Sequence, residues 1–267
     1  MMQMVTIATQ TQVSVHVHGQ KGDIPVIFLN GYGAYQQIWA AQIACVRELG
    51  YRMVTWDYRG QGESTGTIAP DLHMIADDLA TLIQLMSLEN PILVGHSMGA
   101  SVAWAFARYH PEIPIRGRLT IDQSPKMLND AAWHYGFKGL TEDNSMAFAQ
   151  LRSQKQETLH GLNDMVFQRL QNAKNQAPFA PAAAQLLLRD HLNADWRSVV
   201  VQSPTPALFV SAVNSPYFPM GYDHWCAMQN SHIYTVRLAN TGHDIMAEVP
   251  TAFNQTLRHF CHLVMDA

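Results

Sequence analysis

Residues Gly95-His96-Ser97-Met98-Gly99 place a serine between two glycines at matched spacing. The run 91–94 before them reads as a strand and the stretch 100–109 after them as a helix. A sharp strand-to-helix turn strains its central residue and crowds its neighbours, and glycines two positions to either side relieve the crowding. Such a turn would lift the Ser97 hydroxyl above a sheet, with a helix N-terminus behind it to favour developing negative charge. Serine is a poor nucleophile until a base removes its proton, and imidazole has a proton affinity suited to neutral pH. His243 follows the last strand-like run, on the glycine-preceded loop Thr241-Gly242-His243-Asp244, free to hang over a sheet edge. His96 reads as packed beside the turn, and His110, before Pro111, as a helix-end residue. His16 and His18 share a strand face, but no further ligand joins them, so neither a metal nor a cofactor is expected. The chemistry implied is attack of Ser97 on an ester-like carbonyl, with His243 as base.

The flanking sequence supplies the elements to hold these groups. Residues 13–17 alternate with period two, and 25–29 form the continuous apolar run of a buried parallel strand. Helical patterning over 38–49 is followed by a strand over 51–56 and a helix over 72–86; another strand covers 118–122. This order predicts an α/β fold with a mostly parallel, doubly wound sheet and helices on both faces. After Pro125 the pattern breaks. Residues 126–201 carry no clear strand but helix-like stretches at 145–159, 162–173 and 182–191, with Pro178 and Pro181 in a link over 177–184. Asp195-Trp196-Arg197 reads as a lead-in to the next strand, and Asp77 and Asp78 as the polar side of a helix. Strand character resumes at 207–210 and 233–238, and a helix over 251–264 closes the sequence. The expected division is a core of 1–125 and 202–267 with a helical cap, 126–201, inserted in it.

With 267 residues, 48% hydrophobic and 14% charged, the chain can bury a sizeable core. The net charge of −4 leaves no basic footprint for nucleic acid and no polybasic patch for a membrane surface. The first residues lack a basic segment followed by an apolar run, and no stretch reaches a membrane span's length, so a cytoplasmic protein acting on small molecules is expected. Cys45, Cys226 and Cys261 sit in apolar stretches and read as buried free thiols. Composition carries no signal of oligomeric state.

The motifs together resemble the α/β-hydrolase superfamily, of serine esterase and lipase type with an inserted helical cap. Asn30-Gly31-Tyr32-Gly33 followed by Trp39 resembles its HG-x-G segment, and Asp57-Tyr-Arg59-Gly60-Gln-Gly62-Glu-Ser64 its D-x-R-G-x-G-x-S loop. Thr241-Gly242-His243-Asp244 with Glu248-Val-Pro250 resembles its segment carrying the catalytic histidine. The resemblance implies an α/β-hydrolase fold and a triad of serine, acid and histidine. The family usually supplies its acid after the penultimate strand, but Ser215 stands there. Asp122 is the substitute: it ends the strand after the nucleophile, where carboxylates point into the active-site crevice, and Asp223 is second choice. The oxyanion hole is expected from the backbone N–H groups of Tyr32 and Met98, with Asn30 in place of the usual histidine. Asp57, Arg59 and Ser64 read as braces for that loop. Trp133, Phe137 and Tyr217 are pocket candidates.

A small carboxylic ester or a lactone is the implied substrate, with thioesters and amides open. A serine at position 97 argues against haloalkane dehalogenation, which would place aspartate there. Cofactor-free haloperoxidase or acyltransferase action on the same residues, and a non-catalytic receptor on the same scaffold, are the competing readings.

Overall fold

A computed structural model describes residues 2–150 and 156–266. The chain runs through β1 (Met2–Ala8), β2 (Thr11–His18) and β3 (Pro25–Leu29), then a 3-10 helix over Gln36–Gln42 that continues as α1 (Ile43–Glu48). Next come β4 (Arg52–Trp56), α2 (Leu72–Leu85), β5 (Ile92–His96), α3 (Met98–Tyr109) and β6 (Gly117–Ile121). Between β6 and the next strand lie α4 (Ser145–Gln150), α5 (Asp164–Gln176), α6 (Gln185–Asn193) and α7 (Arg197–Gln202). The chain ends with β7 (Ala207–Ala212), α8 (Tyr222–Gln229), β8 (Ile233–Leu238), α9 (Ile245–Glu248) and α10 (Pro250–Asp266).

Eight strands form one sheet in the order β1-β2-β4-β3-β5-β6-β7-β8. β2 runs antiparallel to both its neighbours, β1 and β4, and β3 to β8 are mutually parallel. Period-two geometry divides the strand residues between two cores. Ile27, Leu29, Leu93 and Phe209 face α2, α3 and α8, whereas Val26, Phe28, Val94 and Val210 face α1, α9 and α10. Burying each such side chain is worth roughly 1.5–3 kcal/mol over leaving it exposed. α2 starts where Asp71 accepts the Met74 N–H at 2.8 Å, and it buries Leu72, Ile75, Leu79, Leu82 and Ile83 on one stripe. Parallel pairing brings the C-terminal ends of β3, β5, β6 and β7 to one edge, and every candidate catalytic side chain lies beyond that edge.

Several elements differ from the sequence reading, among them α8 and α9, which lie where no helix was expected. β1 was not anticipated: its residues are mostly exposed, with only Val5 and Ile7 turned partly inward, so its alternation is faint. Residues after Asp195 form α7 and not a strand lead-in, because Asp195 accepts the Arg197 N–H and turns the chain. Of the helix expected over 145–159, 145–150 form α4 and 156–159 are not helical, while 151–155 lie outside the described residues. All three cysteines are buried and unpaired. No helix among the described residues is long and apolar enough to cross a membrane.

Candidate active site

Ser97 sits between β5 and α3 with φ 53° and ψ −123°, a conformation that costs a non-glycine residue of order 1–3 kcal/mol. Its N–H donates to Ile121 O at 3.0 Å, which fastens the turn to β6. A Cβ on Gly95 would lie 2.4 Å from Gly99 O, and one on Gly99 would lie 2.1 Å from Leu29 O. Both glycines are therefore required by close backbone approach. Met98 is the first residue of α3, a position whose N–H has no intrahelical acceptor. The loop after β3 is pinned by buried Asn30, which donates to Trp56 O at 2.7 Å and accepts from Trp39 Nε1 at 2.8 Å. This loop abuts the serine: a Cβ on Gly31 would stand 3.4 Å from Ser97 Cβ, and Tyr32 follows directly.

Asp122 leaves the end of β6 with φ 44°, and its N–H donates to Val210 O at 2.8 Å. Its side chain is buried and fully engaged. Oδ2 receives His243 Nδ1 at 2.7 Å and Ser215 Oγ at 2.6 Å, while Oδ1 receives the Ala212 N–H at 3.1 Å. Ser215 Oγ in turn accepts the N–H groups of Tyr217 and Phe218, at 3.2 and 3.1 Å. The second-choice acid, Asp223, is instead paired with Arg237 at 2.6 Å.

His243 is held at its backbone from both sides. Its N–H donates to Glu157 O at 2.6 Å, and His96 Nε2 donates to its carbonyl at 3.1 Å. That second bond ties the histidine loop to the residue beside Ser97, and the two imidazole rings lie 4.5 Å apart. Burial opposes a charge on His243, but the Asp122 hydrogen bond and charge, helped by Asp244 and Glu157, outweigh it and raise the proton affinity above the ordinary histidine value. His96 is pushed well below that value by burial and then by His243, so it stays neutral. Burial and the Glu157 charge raise the Asp244 carboxyl well above the usual carboxylate range.

Of the pocket candidates, Tyr217 meets the His243 ring edge to face at 4.7 Å, and Phe137 stacks on Tyr217 at 4.8 Å. Trp133 packs against Tyr135 and Trp225, with its indole N–H on Lys126 O. Asp57 accepts the Gln36 N–H at 2.8 Å and Ser64 donates to Asp57 O at 2.6 Å, so both brace the loop region as expected. Asp78, read from sequence as a solvated helix residue, is buried and receives Arg59 Nε at 2.6 Å. The helical pattern alone could not reveal a partner 19 residues upstream. Of three further groups, Glu157 and His191 carried no sequence signal, whereas Glu248 stood in the motif around His243. Glu157 receives the Tyr217 hydroxyl at 2.7 Å, and Glu248 receives the N–H groups of Leu159, His160 and Gly242. His191 is buried and neutral, pushed down to about 3 by burial and then by His243. Among the described residues no group of three His, Cys, Asp or Glu is arranged to hold a metal.

Residues 26–256 match the model of a family described as "Alpha/beta hydrolase family". A curated relative, epoxide hydrolase 2 of Siraitia grosvenorii, is 31% identical over 40% of this chain and 34% of its own length. A bifunctional esterase/perhydrolase of Acinetobacter calcoaceticus is 34% identical over 40% of this chain and 39% of its own. Each match therefore spans little more than a third of the relative. Among solved structures, an esterase from Exiguobacterium antarcticum superposes with a TM-score of 0.83 at 20% identity, covering 97% of this chain and 99% of its own. An enol-lactonase from Burkholderia xenovorans LB400 gives 0.74 at 16% identity, covering 97% and 100%. At these identities the two structures speak for the fold alone.

Proposed function

The chain belongs to the alpha/beta hydrolase family, and within it we propose a serine hydrolase that cleaves a small carboxylic ester or lactone through an acyl-enzyme. The observation that carries the proposal is the 2.7 Å contact between His243 Nδ1 and Asp122 Oδ2, beside a serine in strained turn geometry. With Nδ1 committed to the carboxylate, Nε2 is the nitrogen left to serve as base.

Ser97 Oγ attacks the carbonyl carbon while His243 Nε2 takes its proton, and Asp122 stabilises the imidazolium that results. The tetrahedral oxyanion is received by the N–H groups of Met98 and Tyr32. Collapse expels the alcohol, which leaves with the proton from His243; in a lactone that alcohol stays attached to the acyl group. Water then attacks the acyl-enzyme with His243 again as base, releasing a carboxylic acid. The serine itself favours carbonyl chemistry over epoxide opening. Attack on an epoxide carbon would leave an ether on Ser97, which this base cannot hydrolyse, whereas attack on a carbonyl leaves a hydrolysable ester.

The segment 126–201 is proposed to act as the cap over this site, with Phe137 and Tyr217 as an apolar wall beside His243 and Trp133 in the packing behind them. Tyr32 and Tyr35 fasten the 177–184 link, through contacts to Ala184 O at 3.4 Å and Ala177 O at 2.7 Å. A second reading takes support from the esterase/perhydrolase relative: hydrogen peroxide in place of water at the acyl-enzyme would release a peracid. A panel of p-nitrophenyl esters of increasing acyl length, run beside several lactones, tests the substrate class. Turnover of short esters or lactones is expected, and turnover of neither would exclude the proposal.

A further inference from the structure

Arg118 is the second residue of β6, the strand that Asp122 follows, so it lies at the sheet edge opposite the candidate active site. It is only 2% exposed, yet no carboxylate among the described residues lies within ion-pair distance of it. Its Nη2 donates to Ser203 Oγ, and its buried Nε has no partner. Burial lowers its proton affinity to about 10, which still leaves it a cation at neutral pH. A buried unpaired charge costs several kcal/mol. Arg59, whose side chain is 13% exposed, shows the ordinary solution, with two bonds to Asp78.

Arg118 lines a cleft of about 620 Å³ between the end of α3, the turn before β6, and the connection from α7 to β7. Phe106, Ile113, Ile115 and Val199 give the cleft apolar walls, and none of its lining residues is acidic. His110, also in the lining, already faces Asp77 and Glu112, and Arg108 lies over the Tyr109 ring at 5.9 Å. Among the described residues that line the cleft, Arg118 is thus the buried cation without a counter-charge. One planar guanidinium with a free edge matches a carboxylate, whose single charge it would neutralise. A phosphate dianion would bring one charge too many into the cleft, and the apolar walls suit a hydrocarbon tail.

We propose that Arg118 and Ser203 form the floor of a second binding site, for a small carboxylate with an apolar tail, on the sheet edge away from Ser97. Calorimetric titration of the full chain with sodium hexanoate tests it. The expected result is one equivalent bound at Arg118, with no comparable heat from inorganic phosphate. In Arg118→Met that equivalent weakens at least about tenfold, and hexanoate raises the thermal midpoint of the wild type but not of the variant. Without ligand the variant is at least as stable as the wild type, because an unpaired buried charge has been removed. Val199→Trp, which fills the cleft and keeps Arg118, weakens hexanoate in the same way. Hexanoate affinity unchanged in both variants, no hexanoate bound by the wild type, or phosphate bound in its stead would overturn the proposal.

Discussion

Ser215 Oγ donates to Asp122 Oδ2 at 2.6 Å, and the same oxygen receives His243 Nδ1 at 2.7 Å. The residue that stands where the family's acid is usual is therefore the hydrogen-bond partner of the candidate acid on the neighbouring strand. Two donors on one oxygen and the Ala212 N–H on the other hold the carboxylate in one orientation.

That arrangement predicts a reciprocal swap. Asp122→Ser and Ser215→Asp should each lower kcat for an ester by at least about 10²-fold. The first removes the charge, and the second sets two carboxylates against each other so that one stays protonated. The double variant should recover about tenfold or more over Asp122→Ser, since the carboxylate returns to the same oxygen site from the other strand. Steady-state kinetics on all four proteins decide it, and a double variant no better than Asp122→Ser would show that the two positions are not exchangeable.

The two candidate acids separate cleanly. Asp122→Asn should cost on the order of 10³–10⁴-fold in kcat. Asp223→Asn should leave kcat within about twofold and lower the thermal midpoint, because Arg237 loses its carboxylate. The reverse ranking in kcat would move the acid to α8.

The pH dependence follows from His243. In the proposed mechanism its neutral form is the base, and its proton affinity is raised, so kcat/KM should climb with pH through a midpoint above the free-histidine value near 6.5. Asp244→Asn removes one of the raising charges and should move that midpoint down. Asp244 and His243 both bind protons more tightly folded than unfolded, so their contribution to stability is present at low pH and lost as pH rises through their folded values. Thermal midpoints of Asp244→Asn and wild type should therefore diverge upward in pH in favour of the variant. A constant gap from pH 5 to about pH 8 would contradict the buried carboxylate's role.

Much of the frame was legible in sequence because its signals are local. The glycine spacing around Ser97, the apolar run 25–29 and the helix over 72–86 each encode their own geometry within a few residues. The position of Asp122 was legible for a related reason, as a carboxylate placed where a parallel strand must end. What escaped is tertiary. Ser215 and Asp122 are 93 residues apart, and Tyr217 and Glu157 are 60 apart, so no periodicity announces their contacts. Asp78 was misread on the same ground: its helix position is ordinary, and only the fold brings Arg59 against it. β1 escaped because an edge strand buries too little to show a pattern.

The central claim is that Ser97 carries the acyl group. Mass spectrometry of the protein, rapidly quenched during turnover of a p-nitrophenyl ester and then digested, tests it most directly. The expected result is the acyl mass on the peptide containing Ser97, absent from Ser97→Ala, whose kcat falls by about 10⁴-fold or more. Undiminished ester turnover by Ser97→Ala, or an acyl adduct on another residue, would contradict it.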